Sequence, residues 1–359
     1  AWRIKALRLW LVTILLLCLA IVMVGGATRI TGSGLSITEW QPVHGVVPPL
    51  SAAAWQAEFE KYKQIAQYRV VNPDLNLAGF KGIYWWEWSH RFLARIIGLI
   101  ASIPLLVVVL KAVGYVFCRR KSCEAPRSNP FLPYFIIVPC LVAVQGVIGW
   151  WMVYSGLAHS PLTSVSQYRL ATHLIAACLI IGLVTYLVSG LRRFSDCPAP
   201  KCVQFTGVLV VFAVFIQIYL GGLVAGLHAG LQYNTWPLMD GKIVPSGLFT
   251  LVPIWKNFFE NVLTVQFMHR LGGDAVLFFA VVHFLQLYSK YGFSAGHSKR
   301  ALGLLVMVLL QLCFGVVTLL LKVPIFWGLL HQFFALLLFV ASIVHLRWLM
   351  QHKVMERFE

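Results

Sequence analysis

The chain has 359 residues, of which 59% are hydrophobic, 14% aromatic and only 11% charged. That balance excludes an ordinary water-soluble domain and a disordered chain, and leaves a membrane protein. A net charge of +17 would suit a nucleic-acid-binding face, but the basic residues flank apolar runs, so the excess is topological and no nucleic-acid partner is expected.

Eight runs approach the ~20 apolar residues needed to cross a ~30 Å hydrocarbon core. The first, roughly 9–27, is too long and lacks the small-residue pattern of a cleaved signal peptide. A long loop, 28–89, then leads into the second run at 90–110 through YWWEWSHRF (84–92), which sets Glu87 three residues before His90. The next connection, 111–130, carries Lys111, Arg119, Arg120, Lys121 and Arg127. Runs three (132–153) and four (170–191) flank a short connection at 154–169, and the fourth contains His173. A second basic connection, 192–204, holds Arg192, Arg193 and Lys201. Run five (205–226) is followed by another long loop, 227–263, and run six (264–288) contains His269. A third basic connection, 289–300, has Lys290, Lys299 and Arg300, and runs seven (301–321) and eight (325–347) close the chain, with His331 in the last. Basic connections and basic termini face the cytoplasm, or the matrix in a mitochondrion, so the two long loops lie on the outer side.

Those loops are related. At an offset of 196, Gly25, Gly26, Gly34, Leu35, Trp40, Gly45 and Pro49 fall on Gly221, Gly222, Gly230, Leu231, Trp236, Gly241 and Pro245. Further along the offset is 179, and His90-Arg91 meets His269-Arg270. Gln145 and Gly149 match Gln311 and Gly315, while His173 and Ala177 match His331 and Ala335. The expected fold is therefore an all-α membrane protein whose eight helices form two pseudo-symmetric four-helix bundles, residues 1–195 and 196–359.

The repeat sorts the histidines. His90 and His173 lie near the outer ends of spans two and four, with His269 and His331 in the corresponding places of spans six and eight. Two per half at one depth on alternate helices is the layout of bis-histidine haem ligation. One intramembrane histidine alone would read as an interhelical hydrogen bond. Zinc would need further ligands, of which the first half offers only Glu87, and copper would want a Met or Cys beside the histidines. Cys18, Cys140, Cys178 and Cys313 lie within spans and read as packing residues. Cys118, Cys123, Cys197 and Cys202 occupy connections on the reducing side, where a disulfide is not expected and a shared zinc site is the alternative.

With these motifs in view, the sequence resembles the haem A synthases, which convert haem O to haem A for cytochrome c oxidase. The resemblance rests on GGATRITGSGLSITEWQPVHGVVPP after span one, EWSHR, ATH, MHR and LLHQ at the four even spans, and the duplicated halves. It implies that His90 and His173 receive haem O as substrate, while His269 and His331 keep a haem b as cofactor. It further implies a multi-pass protein of the bacterial plasma membrane, or the mitochondrial inner membrane, with both termini inside. Haem O synthase and cytochrome c oxidase assembly factors are its candidate partners, beside an unidentified electron acceptor. No cysteine lies in an outer loop, so the chain looks like the branch without the cysteine pair that some members carry there.

Only one half has an acid beside its first histidine. Glu87 stands before His90, whereas Gln266, uncharged and of nearly the same shape, stands before His269. Oxidising the haem methyl to an alcohol and then a formyl group removes hydrogen and adds water-derived oxygen. A base, or an anion stabilising developing positive charge, is needed beside the macrocycle, and Glu87 is the candidate. Its alternative is a helix N-terminal acid paired with Arg91 or Arg95. Arg91 and Arg270 are candidate propionate-binding residues or snorkelling anchors. Trp85, Trp86 and Trp88 read as an aromatic belt.

Two other functions would use the same ligands. In a b-type cytochrome electron carrier, His283 and His345, each 14 residues beyond His269 and His331, would lie about 21 Å deeper on nearly the same helix face and bind a second haem. The first half has Pro104 and Leu187 at those places, so these histidines are expected near the inner interface, close to Lys290 and Arg347. A haem transporter or chaperone would have no use for Glu87.

Overall fold

The structure, a computed structural model, describes residues 2–117, 131–157, 160–191 and 198–350. Ten α-helices are present among them: α1 (Trp2–Ile30), α2 (Ala52–Lys63), α3 (Ala66–Val70), α4 (Leu77–Phe117), α5 (Leu132–Tyr154), α6 (Gln167–Gly190), α7 (Lys201–Gly226), α8 (Val262–Tyr291), α9 (Gly296–Leu320) and α10 (Ile325–Met350). All but α2 and α3 are long and apolar enough to cross a membrane, which makes the chain a multi-pass membrane protein. Among the described residues the one β-type pairing is an isolated bridge, Met239 to Lys242.

Helix starts follow local chemistry. Ser51 caps α2 by accepting from the Ala54 amide at 3.1 Å, and Asn261 caps α8 by accepting from Leu263 and Thr264 at 3.0 and 3.3 Å. Gly292, at φ 72°, ends α8 in a conformation that side chains resist. The second span begins 13 residues before its expected start at 90: Asn76 Oδ1 accepts from the Gly79 amide at 2.9 Å, and the helix runs for 41 residues. At 1.5 Å per residue that is about 60 Å, roughly twice the hydrocarbon core. Hydropathy misses the extension because residues 77–89 are mixed in polarity.

The extension carries a cap. Trp55, Phe59 and Tyr62 of α2 pack on Phe80 and Tyr84 of α4 together with Leu35, Ile65, Leu157 and Val165. The long first loop is thus folded over the end of the bundle. Within the membrane, α1 packs on α4 and α6, and α5 fills in between them. Helices α7, α8, α9 and α10 pack in a ring of the same order, and α1, α6, α7 and α10 make the junction. Arg29, at the end of α1, donates to the terminal carbonyls of α7, Ala225 at 2.7 Å and Gly226 at 3.1 Å, which satisfies acceptors that a helix end leaves open.

Several expectations shift. Cys18 and Cys178 are buried, but Cys140 and Cys313 lie on outward faces, so only the first pair packs in the core. Arg347, expected near the inner interface, is buried and donates to Tyr186 Oη at 3.0 Å. Cys202 is a free exposed thiol. Cys118, Cys123 and Cys197, with Arg119, Arg120, Lys121, Arg127, Arg192 and Arg193, lie outside the described residues.

A candidate double histidine site

Each of the four repeat-related histidines faces a glycine on the preceding span. A Cβ on Gly25 (α1) would lie 3.2 Å from His90 Nε2 (α4), and one on Gly149 (α5) would lie 2.9 Å from His173 Cε1 (α6). Gly221 (α7) and Gly315 (α9) cradle His269 (α8) and His331 (α10) in the same way, at 3.3 and 2.9 Å from Cε1. The absent side chain lets an imidazole lie against a neighbouring helix, as small residues do where membrane helices approach closely.

Four residues before three of those glycines stands a glutamine. Gln145 Nε2 donates to the His173 carbonyl at 2.8 Å and touches its Nδ1 at 3.1 Å. Gln217 makes the same two contacts with His269, at 2.8 and 3.1 Å, and Gln311 with His331, at 2.9 and 3.1 Å. In all three the Oε1 is buried without a partner. These residues do not stand out as ligands' supports in the sequence, because a glutamine inside an apolar run reads only as an interruption. The signal was there as Gln-x-x-x-Gly repeated in three spans.

The spacing suits iron. The rings of His90 and His173 have centroids 6.5 Å apart, with planes at 68°. Metal–imidazole bonds of about 2 Å on opposite sides of one iron put the two centroids about 6 Å apart. His269 and His331 carry the glycine and amide contacts described above, as His173 does. The donor set therefore fits two bis-histidine haem sites. Among the described residues no cluster of three or more His, Cys, Asp or Glu side chains is arranged for a metal ion, which leaves the zinc alternative without support there.

His283 and His345 behave differently. Their Nε2 atoms are 2.9 Å apart and hydrogen-bonded, with centroids at 5.1 Å, and Thr206 Oγ1 lies 2.8 Å from His283 Nδ1. No iron fits between nitrogens that close, since two bonds of about 2 Å need about 4 Å. Both are buried among the helices, at 2% and 3% exposure. The stacked-haem arrangement of a cytochrome b loses its second ligand pair.

Glu87 sits ten residues into α4 and not at a helix start, so the macrodipole explanation fails; the pairing explanation holds. Its carboxylate is 3% exposed. Oε1 accepts from Arg91 Nη2 at 2.6 Å and Nε at 3.1 Å, while Oε2 accepts from Ser36 Oγ and the Ile37 amide, both at 2.8 Å. Arg91 also donates to the carbonyls of Ile37 at 2.7 Å and Glu39 at 2.9 Å, so it binds the loop closely. In the other half Gln266 Nε2 donates to the Tyr233 carbonyl at 2.9 Å, where Tyr233 is 196 residues beyond Ile37. Arg270 reaches Tyr233 O and Leu238 O only at 3.3 and 3.5 Å, and its Nε is buried without a partner. Of the two arginines, Arg270 has the more donor capacity left for a propionate. Trp85 and Trp86 are exposed as a belt would be, whereas Trp88 stacks on Phe92 at 4.8 Å.

Comparisons with known proteins show the family. A family described as cytochrome oxidase assembly protein matches residues 8–343. A protein named heme A synthase from Bartonella bacilliformis is 54% identical over 343 residues, 96% of this chain and 92% of the relative. Namesakes from Bartonella henselae and Brucella anthropi are 51% and 50% identical over the same shares of both chains.

Proposed function

Because this chain belongs to the cytochrome oxidase assembly protein family, alongside the heme A synthases it matches nearly end to end, we infer that it is an enzyme that oxidises haem O to haem A. The observation that carries the reading beyond the family is the 6.5 Å spacing of His90 and His173 in the one half that also holds a buried carboxylate. His90 and His173 ligate the substrate iron, and His269 and His331 hold a haem b. Bound there, haem b supplies one-electron transfer. The reaction takes the C8 methyl group to a formyl with oxygen from water, and an acceptor outside this chain receives the electrons.

Glu87 supplies a fixed negative charge beside the substrate half. Its four hydrogen bonds hold the carboxylate still, which favours stabilisation of developing positive charge over a swinging base. Of its four donors, only Ser36 Oγ can also accept a proton, so a proton leaving through this carboxylate passes by Ser36. Arg270, with its free Nε, holds a propionate in the cofactor half; Arg91 ties Glu87 to the loop and binds a propionate with what donor capacity remains. The cap built on α2 and α4 limits water above the site. Both termini lie in the cytoplasm of a bacterium and the cap outside its plasma membrane, a reading supported by the basic connections; haem O synthase and oxidase assembly factors are the natural neighbours there.

The test is to supply haem O to the purified protein in membranes with an oxidant and separate the extracted pigments by chromatography. Haem A should appear with wild type and not with His90→Ala. Haem O persisting unchanged with wild type, while haem B is bound normally, would contradict the synthase reading.

A further inference from the structure

Three of the four histidines are held by a glutamine, and His90 is not. Counting four residues back from Gly25, as Gln145, Gln217 and Gln311 stand before Gly149, Gly221 and Gly315, the position holds Ile21, whose side chain offers no hydrogen bond. The ring itself is also turned. Gly149, Gly221 and Gly315 each meet the Cε1 edge of their histidine, with Nδ1 next nearest or as near as any other atom, whereas Gly25 meets the Nε2 and Cδ2 edge of His90, at 3.2 and 3.4 Å. Absence of the amide and the different edge are separate observations on one residue.

A histidine that binds iron is a better ligand when a second group fixes the rotation of its ring. In the three glutamine-held sites the amide nitrogen ties the Nδ1 edge of the ring to the histidine's own carbonyl. His90 has no such tie to α1, and its ring must rotate away from Gly25 to present Nε2.

We propose that His90 is the releasable ligand: the missing amide at Ile21 makes its bond to the substrate iron the first to break, so that haem O enters and haem A leaves past α1 and α4, with the His173 bond forming first on entry and breaking last on exit. In that step the Nε2–iron bond breaks with its electron pair returning to nitrogen, and no oxidant is needed. Gln145, Gln217 and Gln311 are positioning residues that keep the other three bonds made. The inference rests on the assignment of the substrate to His90 and His173.

The experiment uses the whole protein carrying haem b and loaded with haem O. Transfer of each haem to excess apomyoglobin is timed, and carbon monoxide binding to the reduced protein is recorded. Wild type should lose haem O faster than haem b, and carbon monoxide should bind in the haem O half only. Ile21→Gln should slow haem O transfer by roughly tenfold or more and suppress carbon monoxide binding, and Gln217→Leu should speed haem b loss by a similar factor, the range found for groups that support metal ligands. An Ile21→Gln protein with a normal haem b spectrum but unchanged haem O transfer would overturn the inference alone. So would a Gln217→Leu protein that keeps haem b at the wild-type rate. If neither wild type nor Ile21→Gln binds haem O in a manner sensitive to His90→Ala, the inference falls together with the substrate assignment.

Discussion

At the scale of single residues, beside the first histidine of each half an acid in one stands where an amide does in the other. Glu87 and Gln266 occupy the same place beside a ligand, and both bond to the loop that follows the preceding span. Glu87→Gln keeps the size and one acceptor oxygen but removes the charge. It should lower haem A formation by about a hundredfold or more, the scale of a proton-handling or charge-stabilising group, while the haem b spectrum stays as in wild type. Haem A accumulating at the normal rate would remove Glu87 from the chemistry. The pair has a structural face too. Arg91→Met would leave the carboxylate buried and unpaired, which costs about 3–5 kcal/mol and should lower the thermal unfolding temperature and loosen the cap. The Glu87–Arg91 pairing was legible in the sequence as an i, i+4 pair on one helix face; Ser36 and Ile37 were not, because nothing local says which loop residue folds back on a helix 50 positions away.

Elements bring each ligand to its site through a glycine on the span before it. Alanine normally stabilises a helix by ~1 kcal/mol relative to glycine, so loss of function on Gly→Ala is steric in origin. Gly315→Ala would set a Cβ 2.9 Å from His331 Cε1, whereas Gly303, in the same helix, has nothing within 4 Å of an added Cβ. Gly315→Ala should therefore lose most of the b-type absorbance, and Gly303→Ala should keep it; equal spectra would show that the glycine cradle does not position the ligand. The eight spans were readable because the hydrocarbon core demands long apolar runs. The early start of α4 was not, since an extension above the membrane is stabilised by packing against α2, which involves residues too far apart in sequence for periodicity to register.

For the molecule as a whole, the proposed ligands, on alternate helices and at matched positions in the repeat, would place both irons at one depth, and electrons would then move along the membrane plane. The direct bond between His283 and His345 removes the deeper ligand pair that would carry them across it. Turnover should accordingly be insensitive to an imposed membrane potential, whereas charge crossing the core would make it respond. Contacts at the junction join the two sites: Gln332, next to His331, donates to the Val22 carbonyl at 2.6 Å in the helix that carries Gly25. The central claim is that the four histidines serve two different haems, and it is tested most directly by purifying the four single His→Ala proteins and separating their extracted pigments. His90→Ala and His173→Ala should retain haem B and lack haem O and haem A, and His269→Ala and His331→Ala should lose haem B. Four proteins with the same pigments missing would contradict the division of labour between the halves.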